Sequence, residues 1–431
     1  MTRPLATRIL PNGLTVVVRE DRKAPVVTVN LWVRVGANHE DDSVLGWSHG
    51  IEHLMFKGTA RRGPGVAARE VRDAGGVLNA GTGYETTNYY ITVPTRSLRV
   101  AFNVQADAIQ NSAFDEAELD RERSVIIEEN RMYRDQPSGF GHTWEKLMSL
   151  AFEVSNYRRP IGGPDESLRT TPRDAIVAYR DRRYVPGNAA LVIAGDVAAA
   201  EALALAEAAY GGWRAAPVPD AALPVEPAQR AARFRAAPGP VAKCYVKMGW
   251  RAGPETDRDT YAILVLVRLL ARGRSSWIHQ ELLEKRGLLS EVSVLQETGS
   301  RESIFVLDMV TDLDALDPLV LGVDEGIARF RDALATEEDL ERAKNFMVRS
   351  HVLAQETVDA QAHALGHAFA RGDVTLADRY PEIVGSITRD DVRRVAGAFF
   401  DLPQCSILVH HPEAAGRVER PAALVRRPGP S

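Results

Sequence analysis

The chain has 431 residues, 45% of them hydrophobic and 26% charged, with a formal net charge of −5. That length exceeds what one ordinary core organises and points to two domains or more, each burying its own apolar interior. The acidic balance gives no reason to expect nucleic acid or an anionic membrane as partner, and no segment approaches the ~18 uninterrupted apolar residues of a membrane span.

The chain opens with MTRPLATRILPNGLTVVVRED, which enters a strand and a turn almost at once, with Asn12-Gly13 between apolar runs. It has no apolar h-region, so the expected address is cytoplasmic. Residues 14–19 and 26–35 are rich in β-branched side chains and read as neighbouring strands, the second leading toward WSHGIEHLMFK at 47–57. On a short helix there, His49 and His53 lie one turn apart with Glu52 beside them, while Ile51, Leu54 and Met55 fall on the side that buries. Two imidazoles are ligands suited to Zn²⁺, and the carboxylate is placed to take a proton from water activated by the ion. The order H-x-x-E-H is the inverzincin signature.

Gly58 is a plausible stop for this helix. Residues 67–74 read as another short helix broken by Gly75-Gly76, and 78–93 as a second strand pair. Residues 115–133 form a long charged helix with Val125, Ile126 and Ile127 at its centre. Glu122 and Glu129 share one face of it but stand ~10 Å apart along the axis, so at most one can bind a given ion and the other can only support it. Residues 172–194 read as a helix, a turn and an apolar strand. An offset of 216 residues lays Arg389-Asp390 under Arg173-Asp174, Phe400 under Tyr184, Gln404 under Asn188 and residues 406–409 under 190–193. This echo indicates a duplication into two similar halves. Between them, 213–240 is crowded with Pro and Ala, the composition of an extended connector. Cys244 and Cys405, far apart and without a motif, read as reduced packing residues.

These blocks resemble the pitrilysin family, to which mitochondrial processing peptidases and insulin-degrading enzyme belong. The similarity runs over nearly the whole chain: NGLTVVV, HGIEHLMFKGT, NAGTGYETTNYY, ERSVIIEENRMYRDQP and YVPGNAALVIAGDV. The resemblance implies an α+β fold of two similar tandem domains, each a mostly antiparallel sheet packed with helices, together half of a clamshell. The expected division is 1–215 for the zinc-binding domain, 216–240 for the linker, 241–412 for the homologous second domain and 413–431 for a loosely ordered tail. It also implies zinc-dependent peptide-bond hydrolysis, with one Zn²⁺ held by His49, His53 and Glu129, Glu52 as general base, and Glu122 as the supporting carboxylate. Glu128, 100° around the helix from Glu129, faces away from the ion. Asn79 and Ala80 begin the strand that offers a sheet edge to a peptide substrate; on spacing alone Asn79 reads equally as a turn residue opening a strand. Thr82, Tyr84 and Tyr89 read as packing.

The second half departs from the family. Members that act alone carry an Arg and a Tyr in a block resembling R-E-K-R-G-L-A-Y; here it reads LEKRGLLS, with Leu283 and Ser290 at those positions and Arg286 three residues off register. Leucine donates nothing and serine is too short, and missing oxyanion donors typically cost ~10²–10³ in turnover. The expectation is therefore a heterodimer, in which a homologous zinc-less subunit supplies the Arg/Tyr pair and the two close around peptides or unfolded segments. The alternatives are a self-sufficient homodimer or monomer of the same family, and a non-catalytic structural core-type subunit.

Overall fold

The computed structural model describes residues 5–218 and 223–424, and the chain there forms two compact units. The first takes the chain up to Asn130, then Arg159–Leu223 and Val352–Arg379; the second takes Arg131–Arg158, Pro224–His351 and the chain from Tyr380 onward. The strands of the first unit are β1 (Leu5–Ile9), β2 (Thr15–Glu20), β3 (Val26–Val33), β4 (Val77–Thr82), β5 (Thr87–Pro94) and β6 (Ala189–Gly195). Those of the second are β7 (Arg233–Gly239), β8 (Cys244–Ala252), β9 (Glu291–Thr298), β10 (Ser303–Thr311) and β11 (Cys405–Pro412). The helices used below are α1 (Trp47–Leu54), α2 (Glu116–Arg134), α3 (His142–Ala151), α4 (Arg173–Arg183), α5 (Val358–Ala370) and α6 (Arg389–Phe399).

Among the described residues the strands form two sheets, ordered β1-β2-β6-β3-β5-β4 and β7-β11-β8-β10-β9. Apart from β1 the two orders are the same path. Each has one parallel pair, β2 with β6 and β7 with β11, and is otherwise antiparallel. The 216-residue offset carries α4 onto α6 from first residue to last, and brings the start of β6 onto the start of β11. The molecule is thus a tandem duplication.

Strand alternation explains the cores. Val16, Val18, Leu191 and Ile193 face one side of the first sheet and pack with Trp47, Ile51, Leu54 and Met55 of the α1 region. Val17, Trp32, Val192 and Ala194 face the other side and are covered by Ala362, Leu365 and Ala368 of α5. Because both faces are covered, β6 is buried at every residue. In the second unit α3 takes the equivalent place, with Leu147 lying against Gly249 of β8. Each sequence half thus lends one helix to the sheet of the other.

This exchange departs from the division expected at 1–215 and 241–412: residues 131–158 belong with the second sheet and 352–379 with the first. A two-faced apolar sheet needs cover on its second side, and the periodicity of α3 or α5 does not say which sheet it will cover. The connector expected at 216–240 ends in strand, since β7 pairs along β11. The tail is also more ordered than its composition suggested: Val418, Ala423 and Leu424 pack on the second core, and Arg420 donates to the Ala232 carbonyl at 3.0 Å. Residues 425–431 lie outside the described residues. Cys244 and Cys405 are buried free thiols. No helix among the described residues is long and apolar enough to cross a membrane.

Gly366 shows how closely α5 lies on the sheet: a Cβ there would stand 2.0 Å from Nε1 of Trp32. Gly366→Ala is expected to destabilise the protein by ~1–3 kcal/mol through overpacking, against the usual helix preference for Ala. A higher melting temperature for this variant would contradict that packing.

Candidate metal centre

The centre is built from two helices of the first unit. Glu40 receives the start of α1, its carboxylate accepting from the Gly46 and Ser48 N–H groups at 2.7 Å each. Burial pushes its pKa up to about 7, against the lowering by those two bonds. Trp47, Ile51 and Leu54 fix the buried face of α1, so His49, Glu52 and His53 are left on the other. The helix ends at Leu54, a turn earlier than the Gly58 stop expected from sequence.

On α2, Leu119, Glu122, Ile126 and Glu129 recur at three- and four-residue spacing and form one stripe. Leu119 and Ile126 anchor it in the first core, which aims both carboxylates at α1. Arg123 reinforces the docking by donating to the Leu168 and Thr171 carbonyls, with its guanidinium 5.0 Å from the Trp47 ring. Glu128 is on the exposed side of the helix, as the 100° rotation requires.

The outcome is a convergence of three donors. His53 Nε2 lies 3.3 Å from His49 Nε2 and 3.2 Å from Glu129 Oε2, and His49 Nε2 lies 3.9 Å from Glu129 Oε2. Among the described residues these three form the group of His and carboxylate side chains able to hold one ion. A tetrahedral Zn²⁺ with ~2.0–2.1 Å bonds needs its donors about 3.3 Å apart, so the set fits and leaves a fourth position open. Burial, and then the neighbouring His53, pull the His49 pKa down to about 4, so its ring is neutral and its lone pair free at neutral pH. Among the described residues His49 Nδ1 is buried without a hydrogen-bond partner, so that ring is oriented by packing on His53, with centroids 4.7 Å apart.

Glu122 is not part of this donor group. Its Oε2 sits 3.1 Å from His53 Nδ1 and its Oε1 2.6 Å from Lys57 Nζ. Placed between the two, the Glu122 carboxylate accepts the Nδ1 proton and keeps the Nε2 lone pair of His53 on the centre. Lys57 was not singled out from sequence; it lies four residues after His53, but its partner Glu122 is set by the docking of α2. Lys57→Met is expected to weaken zinc binding by ~10–100-fold with little change in melting temperature, as read by chelator competition.

Glu52 is half-buried beside the donors, and desolvation raises its pKa while a hydrogen bond from Thr82 lowers it. Thr82 Oγ1 donates to Glu52 Oε2 at 2.6 Å, which corrects the reading of Thr82 as packing alone. Tyr84 and Tyr89 are buried as expected, Tyr89 sharing a 2.8 Å hydrogen bond with Tyr184. Thr82 ends β4, the outermost strand of its sheet, and Asn79 and Ala80 lie on the same strand. The strand begins at Val77, so Asn79 and Ala80 lie within it and do not open it as expected; the Asn79 side-chain carbonyl accepts the Ala80 N–H at 2.9 Å. In the second unit, Leu283 packs on the apolar core, Ser290 N–H bonds the Val310 carbonyl, and Arg286 pairs with Glu325 at 2.7 Å.

Comparison with known proteins gives the family of both halves. Residues 15–165 match the family described as Insulinase (Peptidase family M16), and residues 171–347 match the Peptidase M16 inactive domain. A Rickettsia felis protein described as an uncharacterized zinc protease is 28% identical, over 93% of this chain and 96% of its own length. A probable mitochondrial-processing peptidase subunit beta of Arabidopsis thaliana is 25% identical, over 90% of this chain and 75% of its own. The crystal structure of a protease from Helicobacter pylori superposes with a TM-score of 0.89 at 23% identity, covering 95% of this chain and all of that one, which bears on the fold.

Proposed function

Because the chain belongs to the M16 peptidase family, we propose that it is the zinc-bearing subunit of a heterodimeric endopeptidase cleaving peptides or unfolded segments. The observation that carries this is the convergence of His49, His53 and Glu129 beside a half-buried Glu52.

Bound at those three donors, zinc supplies Lewis-acid polarisation of a scissile carbonyl and lowers the pKa of water. The chain's own groups do the rest. Glu52, with Oε2 tied to Thr82, presents Oε1 to take the proton of the attacking water and return it to the leaving amine. Glu122 and Lys57 hold His53 in one tautomer. The outer edge of β4, at Asn79 and Ala80, takes the peptide as an added strand, with the Asn79 side chain giving up the Ala80 N–H to it.

The two-subunit reading rests on Leu283 and Ser290, neither of which supplies a cation or a phenol to the oxyanion. A homologous partner carrying the Arg/Tyr pair completes the reaction in a chamber closed by both subunits. The test is zinc content and hydrolysis of a quenched peptide by the chain alone, by the homologous chain alone, and by the mixture. Zinc in this chain with activity mainly in the mixture is expected. Full activity unaided removes the partner, and a chain that takes up no zinc removes the enzyme.

A further inference from the structure

The helix α1, which carries His49 and His53, is eight residues long, and its N-cap is Gly46. Gly46 brings no side chain to the free N–H groups of the first turn and has no room for one, since a Cβ there would stand 2.6 Å from the Gly162 carbonyl oxygen. Glu40 does this work from outside the helix. Its Oε2 accepts the Gly46 N–H and its Oε1 the Ser48 N–H, so both oxygens are committed to the backbone that leads directly into His49. The Ser48 hydroxyl also bonds this carboxylate and shares a 2.9 Å hydrogen bond with Tyr179 of α4.

The two ligands on α1 are held differently. His53 is tied to Glu122, whereas among the described residues His49 Nδ1 has no hydrogen-bond partner. The place of the His49 ring therefore depends on its backbone, which Glu40 grips at the preceding residue. Among the described residues Glu40 bonds no metal ligand itself, and no cation pairs with its carboxylate. Arg159 donates to its main-chain carbonyl at 3.1 Å and pairs with Asp42, while on α4 Arg182 pairs with Asp41 and Arg183 donates to the His39 carbonyl.

We propose that Glu40 is a positioning residue of the metal centre, and that protonation of its carboxylate loosens His49 and with it the grip on zinc. An ionised carboxylate accepts at both oxygens; once protonated, one of them carries a hydrogen toward an N–H donor. The bond that remains is neutral and about half as strong. At 3% exposure, little water reaches the site to replace what is lost.

The proton exchanges near neutrality, because burial carries the Glu40 pKa from 4.5 to about 7. The folded chain holds this proton more tightly than the unfolded chain does. The stability contributed by Glu40 is therefore present below its ordinary pKa and lost as pH rises through about 7, while the order of α1 is gained over the same range.

The proposal rests on the zinc reading above. Chelator competition on the full chain and on Glu40→Gln, across the neutral range of pH, tests it. Protonation of the ligands themselves is common to both chains, so the ratio of their zinc affinities isolates Glu40. The parent is expected to bind zinc about 10-fold more tightly than the variant at about pH 8, and within about 2-fold of it at about pH 6. A ratio that does not change with pH, whether near one or a constant deficit, overturns the proposal. NMR of the metal-free parent, isotope-labelled at glycine and serine, gives a second reading that needs no variant. The Gly46 and Ser48 amide proton shifts should titrate together with a midpoint of about 7, and shifts that stay fixed across that range overturn it. Zinc uptake at no pH removes the enzyme reading and the grip on zinc with it, and the amide shifts distinguish that result from a failure of Glu40 to titrate.

Discussion

Glu52→Gln is expected to lower peptide turnover by ~10²–10⁴-fold while zinc content stays at one per chain. The amide keeps the volume of the half-buried side chain and can still accept the Thr82 hydroxyl bond, made at 2.6 Å in the parent. What it loses is basicity, so the attacking water has nowhere to leave its proton. Because Glu52 is not among the three converging donors, the ion should be undisturbed. The check pairs metal analysis with kcat on a quenched peptide, measured with the partner subunit present. A variant that keeps a tenth or more of parental activity would remove Glu52 from the role of base. One that loses zinc would place it in the ligand set instead.

Glu129→Ala should strip the metal, whereas Glu128→Ala should leave both metal and activity intact. Glu129 Oε2 is 3.2 Å from His53 Nε2 and 3.9 Å from His49 Nε2; its neighbour is exposed on another face of α2. Two imidazoles alone are an incomplete site, so the loss of affinity should exceed the ~10–100-fold that follows removal of an outer-shell partner such as Lys57. Competition with a chromogenic chelator measures each variant directly. Equal losses for the two glutamates would mean a disturbed helix and not a missing ligand. Zinc retained by Glu129→Ala would require a different third donor.

The sequence by itself determined a good deal. His49, Glu52 and His53 fall within one turn of helix, where neighbour relations follow from 3.6 residues per turn and need no tertiary information. The duplication was legible for a similar reason: α4 with β6, and α6 with β11, are local patterns repeated at a fixed offset. Glu122 and Glu129 could be placed on one face of α2, but choosing between them as ligand needed the family resemblance.

Only the tertiary structure decided what reaches that face. Lys57 meets Glu122, and Thr82 meets Glu52, because α2 and β4 dock against α1 across separations of tens of residues. The exchange of α3 and α5 between the sheets belongs to the same class. An amphipathic helix records which of its sides must be covered but not which apolar surface will cover it, because the hydrophobic effect has no direction. That choice is made by the fit of whole surfaces, as Gly366 under Trp32 shows, and such fit is a property of the assembled chain.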